Sequence, residues 1–283
     1  FNNTTTDFFP TISITGEKCA LNCKHCQGKI LQTMNQATSA EELYRLCCRL
    51  KQKGAKGCLI SGGCTIDGSV PIEDFIATIA KIKRDLEFVI LVHTGLLSFD
   101  CAKQLKKAKV DCVLIDVIGK DDTIQQIYNL KATTLDYENS LLALENANLD
   151  FVPHVVVGLD YGKLGGEFEA LKIIKKHTPA AVVIIGFMPI PRTQMAKTKP
   201  PKPIDIARTI ATARILLPNI PLALGCMRAK GRQREEIDVL ALKAGANAIA
   251  FPTQTTIDYA KKNSYKTFFS TFCCAQIYKD FDQ

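Results

Sequence analysis

Eight short runs rich in β-branched residues recur along the chain, at 11–15 (TISIT), 57–61 (GCLIS), 88–93 (FVILVH), 111–116 (DCVLID), 151–158 (FVPHVVVG), 181–187 (AVVIIGF), 221–225 (PLALG) and 247–251 (NAIAF). They do not alternate polar and apolar positions, which is the pattern of strands buried on both faces of a parallel sheet. Amphipathic stretches lie between them. "SAEELYRLCCRLKQKG" offers Ser39 as N-cap, Glu42 three residues later and Gly54 as a stop. "PIEDFIATIAKIKRDL" puts Pro71 at a first helical position. "SLLALENANL", "GEFEALKIIKKH", "IDIARTIATARILL" and "REEIDVLALKAG" carry apolar residues three and four apart. Eight strand–helix units predict an α/β fold, a (β/α)8 TIM-type barrel over residues 1–263, with a six-unit partial barrel as the alternative. A short aromatic tail, 264–283, holds Cys273 and Cys274 and is expected to close over the barrel mouth.

The chain has 283 residues, 47% of them hydrophobic, enough to bury a core of this size as one domain. No run of 18 apolar residues is present, so no transmembrane helix is expected. The opening "FNNTTTDFFP" lacks the basic and apolar regions of a secretion signal, and a cytoplasmic location is expected. It also lacks a methionine, so the native N-terminus is expected to lie upstream. Twelve cysteines without a signal argue for a reducing compartment and metal chemistry rather than a disulfide scaffold. The net charge of +8 favours an acidic protein partner or an anionic ligand, and no nucleic-acid motif is present. The segment 189–203, "PIPRTQMAKTKPPKP", reads as a loop. Its Lys197, Lys199 and Lys202 are read either as a patch that draws an acidic partner or as solvated loop charges.

The densest chemistry is in "CALNCKHCQG", where Cys19, Cys23 and Cys26 are spaced x3 and x2 with no fourth cysteine nearby. A distant fourth ligand would complete a structural zinc site. A three-thiolate iron–sulfur cluster would instead leave one iron open to an outside ligand. The loop follows the first expected strand, at the end of a barrel where chemistry is placed.

This spacing after strand one resembles the signature of the radical S-adenosylmethionine (SAM) superfamily. The resemblance implies a 4Fe–4S cluster on Cys19, Cys23 and Cys26, with SAM chelating the open iron and yielding a 5′-deoxyadenosyl radical. The superfamily usually has an aromatic residue where His25 stands. Further segments resemble its SAM-binding motifs: Ser61, Gly62 and Gly63 after strand two, Asp116 ending strand four, "VVVGLD" around Gly158, and "GFMPIPRT" with Gly186, Phe187 and Met188. Cys64 replaces the acidic residue usual after the glycine pair.

The segments "ISITGEKCALNCKHCQG", "GCLISGGCTIDG", "LVHTGLL", "PHVVVGLDYGKLGGE", "LGCMRAKG" and the terminal "CC" are together similar to the biotin-synthase-like proteins of two-component lipoyl synthases. That likeness implies a sulfurtransferase that inserts sulfur into a protein-bound octanoyl chain, taking it from an auxiliary iron–sulfur cluster. Cys64 and Cys226 follow strands two and seven, and with Cys273 and Cys274 they are expected to hold that second cluster. Cys47, Cys48, Cys58, Cys101 and Cys112 are expected in the core, as are His93 and His154, with His93, near its strand's end, alternatively facing the substrate or SAM. Arg228 and Lys230 flank Cys226, either to meet a carboxylate or as solvated charges. The implied partners are a second radical SAM lipoyl synthase component, an octanoylated lipoyl-carrier protein or peptide, and an electron donor such as ferredoxin or flavodoxin. No nucleic acid or membrane is implied. No catalytic side chain is assigned beyond the cluster ligands. Two alternatives stand: a radical SAM enzyme of another reaction type, biotin-synthase-like or without sulfur transfer, and a non-enzymatic zinc or iron–sulfur binding module.

Overall fold

The computed structural model describes residues 9–271 and 273–281, and every structural statement below concerns these. The segment read as lacking a secretion signal lies mostly outside them. The elements in chain order are β1 (Thr11–Ser13), β2 (Asn35–Gln36), α1 (Ala40–Gln52), β3 (Gly57–Ser61), α2 (Ile76–Leu86), β4 (Val89–His93), α3 (Phe99–Lys107), β5 (Cys112–Asp116), α4 (Asp121–Ile127) and α5 (Thr134–Asn146). Then come β6 (Phe151–Val157), α6 (Glu167–Ile174), β7 (Val182–Gly186), α7 (Pro203–Leu216), β8 (Leu222–Leu224), α8 (Arg232–Lys243), β9 (Ala248–Ile249), α9 (Gln254–Lys262) and α10 (Ile277–Phe281).

The chain forms two compact units. One runs to Ile115 and includes Ile124–Phe151; the other comprises Asp116–Thr123 and the chain from Val152 onward. In the first, the parallel order is β2-β1-β3-β4-β5. In the second it is β6-β7-β8-β9, again all parallel. Strands joined in parallel by helical crossovers are the α/β architecture of TIM-type barrels, the class expected. The strand β2 was not anticipated: its two residues are polar and exposed, without apolar signal, and they pair beside β1. The expected division at 263/264 remains a proposal.

Local chemistry sets the element ends. Ser39 caps α1, its hydroxyl accepting from the Glu42 N–H at 3.2 Å, as read from the sequence. Buried Leu43, Leu46, Cys47 and Leu50 form one face of that helix. Each large side chain so buried contributes about 1.5–3 kcal/mol. Pro71 does not open α2; a 3-10 turn at Glu73–Phe75 intervenes before Ile76. The helix expected to begin near residue 140 starts at Thr134, because Thr133 and Asp136 form a capping box. The helix α3 was not singled out from its sequence; Ser98 caps it.

Cys47 and Cys58 hydrogen-bond inside the core, and that bond, with burial next, pushes the Cys58 thiol well up. Cys101 and Cys112 are buried as expected, while Cys48 is half-buried. In the second unit, Arg228 and Asp238 form a fully buried pair at 2.6 Å. Arg228 also donates to the carbonyls of Gly225 and Ala250, at 2.7 and 2.8 Å, and Asp238 accepts from the Thr253 N–H at 3.1 Å. Arg228 therefore meets a carboxylate and is not a solvated loop charge. Removing one partner of such a pair costs about 3–5 kcal/mol.

Candidate metal and SAM site

The cysteine loop leaves β1 at Ile14, whose N–H donates to the Ser61 carbonyl at the end of β3. The glycine pair after β3 fits beneath this loop. The Gly63 N–H donates to Thr15 Oγ1 at 2.7 Å, and the Ala20 N–H donates to the Cys64 carbonyl at 2.8 Å. A Cβ on Gly63 would fall 2.6 Å from the Cys19 Cα, so only glycine allows this approach. Ser61 lies half-buried at the strand end and donates to the His93 carbonyl at 3.3 Å. A Cβ on Gly62 would press on the Thr15 side chain at 2.9 Å.

Residues 127–129 clamp the loop from the other side. The Lys24 N–H donates to the Ile127 carbonyl at 2.8 Å, and Asn129 Nδ2 donates to the carbonyls of Leu21 and Asn22, each at 3.0 Å. The Cys23 sulfur lies 3.5 Å from the Tyr128 carbonyl, and the Tyr128 ring packs against His25 at 4.9 Å between centroids. The ligand atoms of Cys23, His25 and Cys26 all lie within 4.8 Å of one another.

Cys26 is held far below an ordinary thiol, at about 4, first by a hydrogen bond from Cys23 and then by one from His25, against the upward pull of burial. Cys23, as the donor of that bond, is pushed up, with burial and the nearby sulfurs of Cys26, Cys19 and Cys64 adding to the effect. Thiolate is the form that ligates iron and zinc. Cys23 and Cys26 bring two sulfurs together, and half-buried Cys19 on the same loop lies near enough to bear on Cys23, a donor set whose soft sulfurs fit an iron–sulfur cluster.

In the second unit, Asp116 ends β5, half-buried. Gly158 follows β6 with φ +82°, a left-handed conformation that favours glycine, and Pro201 packs on it. Glu167 organises the loop around it. That carboxylate is buried and accepts from the N–H groups of Gly158, Gly165 and Gly166, at 2.7, 2.6 and 3.0 Å. Gly186 ends β7 and donates to the Met227 carbonyl at 2.8 Å. Buried Phe187 donates to the Val157 carbonyl at the same distance, and Met188 is half-buried. Gly158, Gly186 and Phe187 thus meet around the ends of β6 and β7, beside the loop that carries Cys226.

Cys226 joins Cys273 and Cys274. Cys274 hydrogen-bonds both neighbours, which raises its own thiol well above the usual range; bonds to both sulfurs come first and burial next. The same contact lowers Cys226 to about 6, with Arg228 helping, and lowers Cys273. The tail brings this about: the 3-10 turn Cys274–Gln276 packs on β7 and β8, with Ala275 and Gln276 fully buried. Cys64, expected in the same set, belongs to the first unit. There its sulfur bears on Cys23, and a Cβ on Gly95 would lie 3.5 Å from it.

The loop 189–203 leaves Lys197, Lys199 and Lys202 exposed, while Met195 and Pro201 anchor it. A small open cleft lies between residues 117–123 and 159–170. Lys120 and Asp160, both among its surroundings, pair at 2.9 Å. Val155, Val156, Leu159 and Asp160 of the VVVGLD segment line it, together with Glu167. Sequence reasoning missed Glu167, whose signal is an acid nine residues past Gly158 in a glycine-rich stretch. It also missed Tyr128 and Asn129, which lie more than a hundred residues from their partners and carry no local signal.

A parallel α/β fold with three thiols on the loop after its first strand defines a class of barrel enzymes that hold a thiolate-bound cluster. The Radical SAM superfamily model matches residues 13–163, more than half of the chain, and the chain belongs to that superfamily. Membership implies a 4Fe–4S cluster and SAM. A second model, the Biotin and Thiamin Synthesis associated domain, matches residues 184–280. The chain is 30% identical over 185 residues to biotin synthase of Ruthia magnifica subsp. Calyptogena magnifica, covering 63% of this chain and 55% of that protein. To biotin synthase of Ehrlichia chaffeensis it is 27% identical over 265 residues, or 89% of this chain and 77% of that one. The fold resembles the crystal structure of methylornithine synthase, with a TM-score of 0.61 at 12% identity over 99% of this chain and 88% of that one. It also resembles the FeFe-hydrogenase maturase HydG from Carboxydothermus hydrogenoformans, with a TM-score of 0.59 at 15% identity over 87% and 60%. No helix among the described residues is long and apolar enough to cross a membrane.

Proposed function

We propose that this chain is a radical SAM sulfurtransferase of the biotin-synthase-like kind, which inserts sulfur at an unactivated carbon. The observation that carries this is the meeting of Cys226, Cys273 and Cys274 in the unit matched by the Biotin and Thiamin Synthesis associated domain. When bound, a three-thiolate 4Fe–4S cluster supplies the electron that cleaves SAM and so the radical that abstracts hydrogen. The residues of the chain do the rest. Cys19, Cys23 and Cys26 hold the cluster, and Cys26 is already prepared as a thiolate. Ser61, Gly62 and Gly63 present backbone rather than side chain beside the cysteine loop, the arrangement that receives a polar ligand group closely. Asp116 offers a carboxylate for a ribose, while Gly158, Gly186, Phe187 and Met188 line the adenosine side. Glu167 acts through Gly158 by fixing its loop, so it is a positioning residue.

Cys226, Cys273 and Cys274 would hold the auxiliary cluster that donates sulfur. Three sulfurs sharing hydrogen bonds are soft ligands, two of them already biased toward thiolate, and metal binding has fewer protons to displace there. The reading is argued from these three, all within the second unit. The acceptor is a saturated carbon chain. The exposed Lys197, Lys199 and Lys202 favour an octanoyl chain delivered on an acidic carrier, with a second lipoyl synthase component as partner and ferredoxin or flavodoxin as reductant. The names of the curated relatives favour a free precursor of biotin. Mass spectrometry after anaerobic turnover of the reconstituted enzyme separates them, using an octanoylated carrier peptide, with and without a partner extract, and a sulfur-free biotin precursor. A mass gain of sulfur on either supports sulfur insertion and names the substrate. SAM cleavage with no sulfur on any of them overturns the sulfurtransferase reading.

A further inference from the structure

The residue before the last cysteine of the signature is a histidine, and its surroundings fix its ring. Lys24 on one side is held by the Ile127 carbonyl, and the ring itself rests tilted by 51° on Tyr128. One ring nitrogen lies with the sulfurs of Cys23 and Cys26 inside 4.8 Å, and His25 hydrogen-bonds Cys26. Yet His25 Nδ1 is buried and has no hydrogen-bond partner in the protein. A buried ring nitrogen without a partner calls for one supplied by a ligand. The group that the neighbouring sulfurs would hold is rich in sulfur acceptors.

We propose that His25 donates a hydrogen bond to the sulfur of the iron–sulfur cluster held by Cys19, Cys23 and Cys26, and so raises its reduction potential. The inference rests on the cluster reading above. A reduced cluster carries one more negative charge than the oxidised one, so a fixed N–H donor stabilises the reduced form more. Phenylalanine in the same place would keep the contact with Tyr128 and lose the donor. His25 is therefore a positioning and tuning residue for electron entry, additional to the three ligands.

The test is a redox titration of the reconstituted protein, followed by electron paramagnetic resonance, with iron content measured alongside. The variants are His25→Phe and His25→Gln, the latter retaining a donor. The expected result is equal iron in all three proteins, a more negative potential in His25→Phe, and a potential in His25→Gln shifted back toward wild type. An unchanged potential in His25→Phe overturns the proposal. So does loss of iron in His25→Phe, or a strong nitrogen hyperfine coupling that vanishes with the histidine, since either makes His25 a ligand. If the wild-type chain assembles no cluster, the reading beneath the proposal fails instead, and the proposal falls with it.

Discussion

At the scale of single residues, hydrogen bonding decides which sulfurs are charged. Cys274 shares its one S–H between Cys226 and Cys273, which holds its own thiol well up, while Cys226 falls to about 6. A donor to the thiolate stabilises the charged form, so its midpoint moves down. In the metal-free protein, alkylation of Cys226 should rise with pH through about 6 and level off by neutrality, read at that site by peptide mass spectrometry. In Cys274→Ala the donor is gone, and the midpoint should move up by about one unit or more toward an ordinary thiol. A wild-type midpoint above 8, or one that Cys274→Ala leaves in place, would contradict the assignment. The exposed position of Cys226 makes it accessible to the reagent.

At the scale of elements, each part of the candidate site sits where a parallel strand ends: the cysteine loop after β1, the glycine pair after β3, Gly158 after β6, Gly186 on β7 and Cys226 after β8. Backbone at strand ends needs partners, and here side chains supply them. Glu167, the first residue of α6, satisfies three N–H groups of the preceding loop. Charge-assisted bonds of this kind are each worth about 1.5–3 kcal/mol, and buried amides left open are costly. Glu167→Ala should lower stability in chemical denaturation by about 2–4 kcal/mol, and Glu167→Gln by less. A change within about 0.5 kcal/mol would show that the loop does not depend on this carboxylate. The strands, the cap at Ser39 and the three signature cysteines were legible because their signals are local: apolar runs, a serine before a helix, a fixed spacing. Glu167, Tyr128 and the true start of α5 were not. Their roles arise from partners brought close only by the fold, or, for α5, from a capping pair outside the apolar stretch that suggested the helix.

At the scale of the whole chain, the cysteines that carry the proposed chemistry divide between the two units. Cys19, Cys23, Cys26 and Cys64 fall in one unit, and Cys226, Cys273 and Cys274 in the other. Cys64 and Cys226 both follow strands, which is why the sequence groups Cys64 with the tail cysteines; within its own unit Cys64 bears on Cys23. Superfamily membership supplies the cluster and SAM, and the proposed sulfur transfer needs the first site before the second can act. The central claim is that Cys19, Cys23 and Cys26 hold the SAM-cleaving cluster. The direct measurement is 5′-deoxyadenosine formed from SAM under a strong reductant, by the reconstituted chain and by Cys19→Ala/Cys23→Ala/Cys26→Ala. Formation by the wild-type chain and its loss in the triple variant, with the fold retained, is the predicted result; formation at the wild-type rate by the triple variant would contradict the claim.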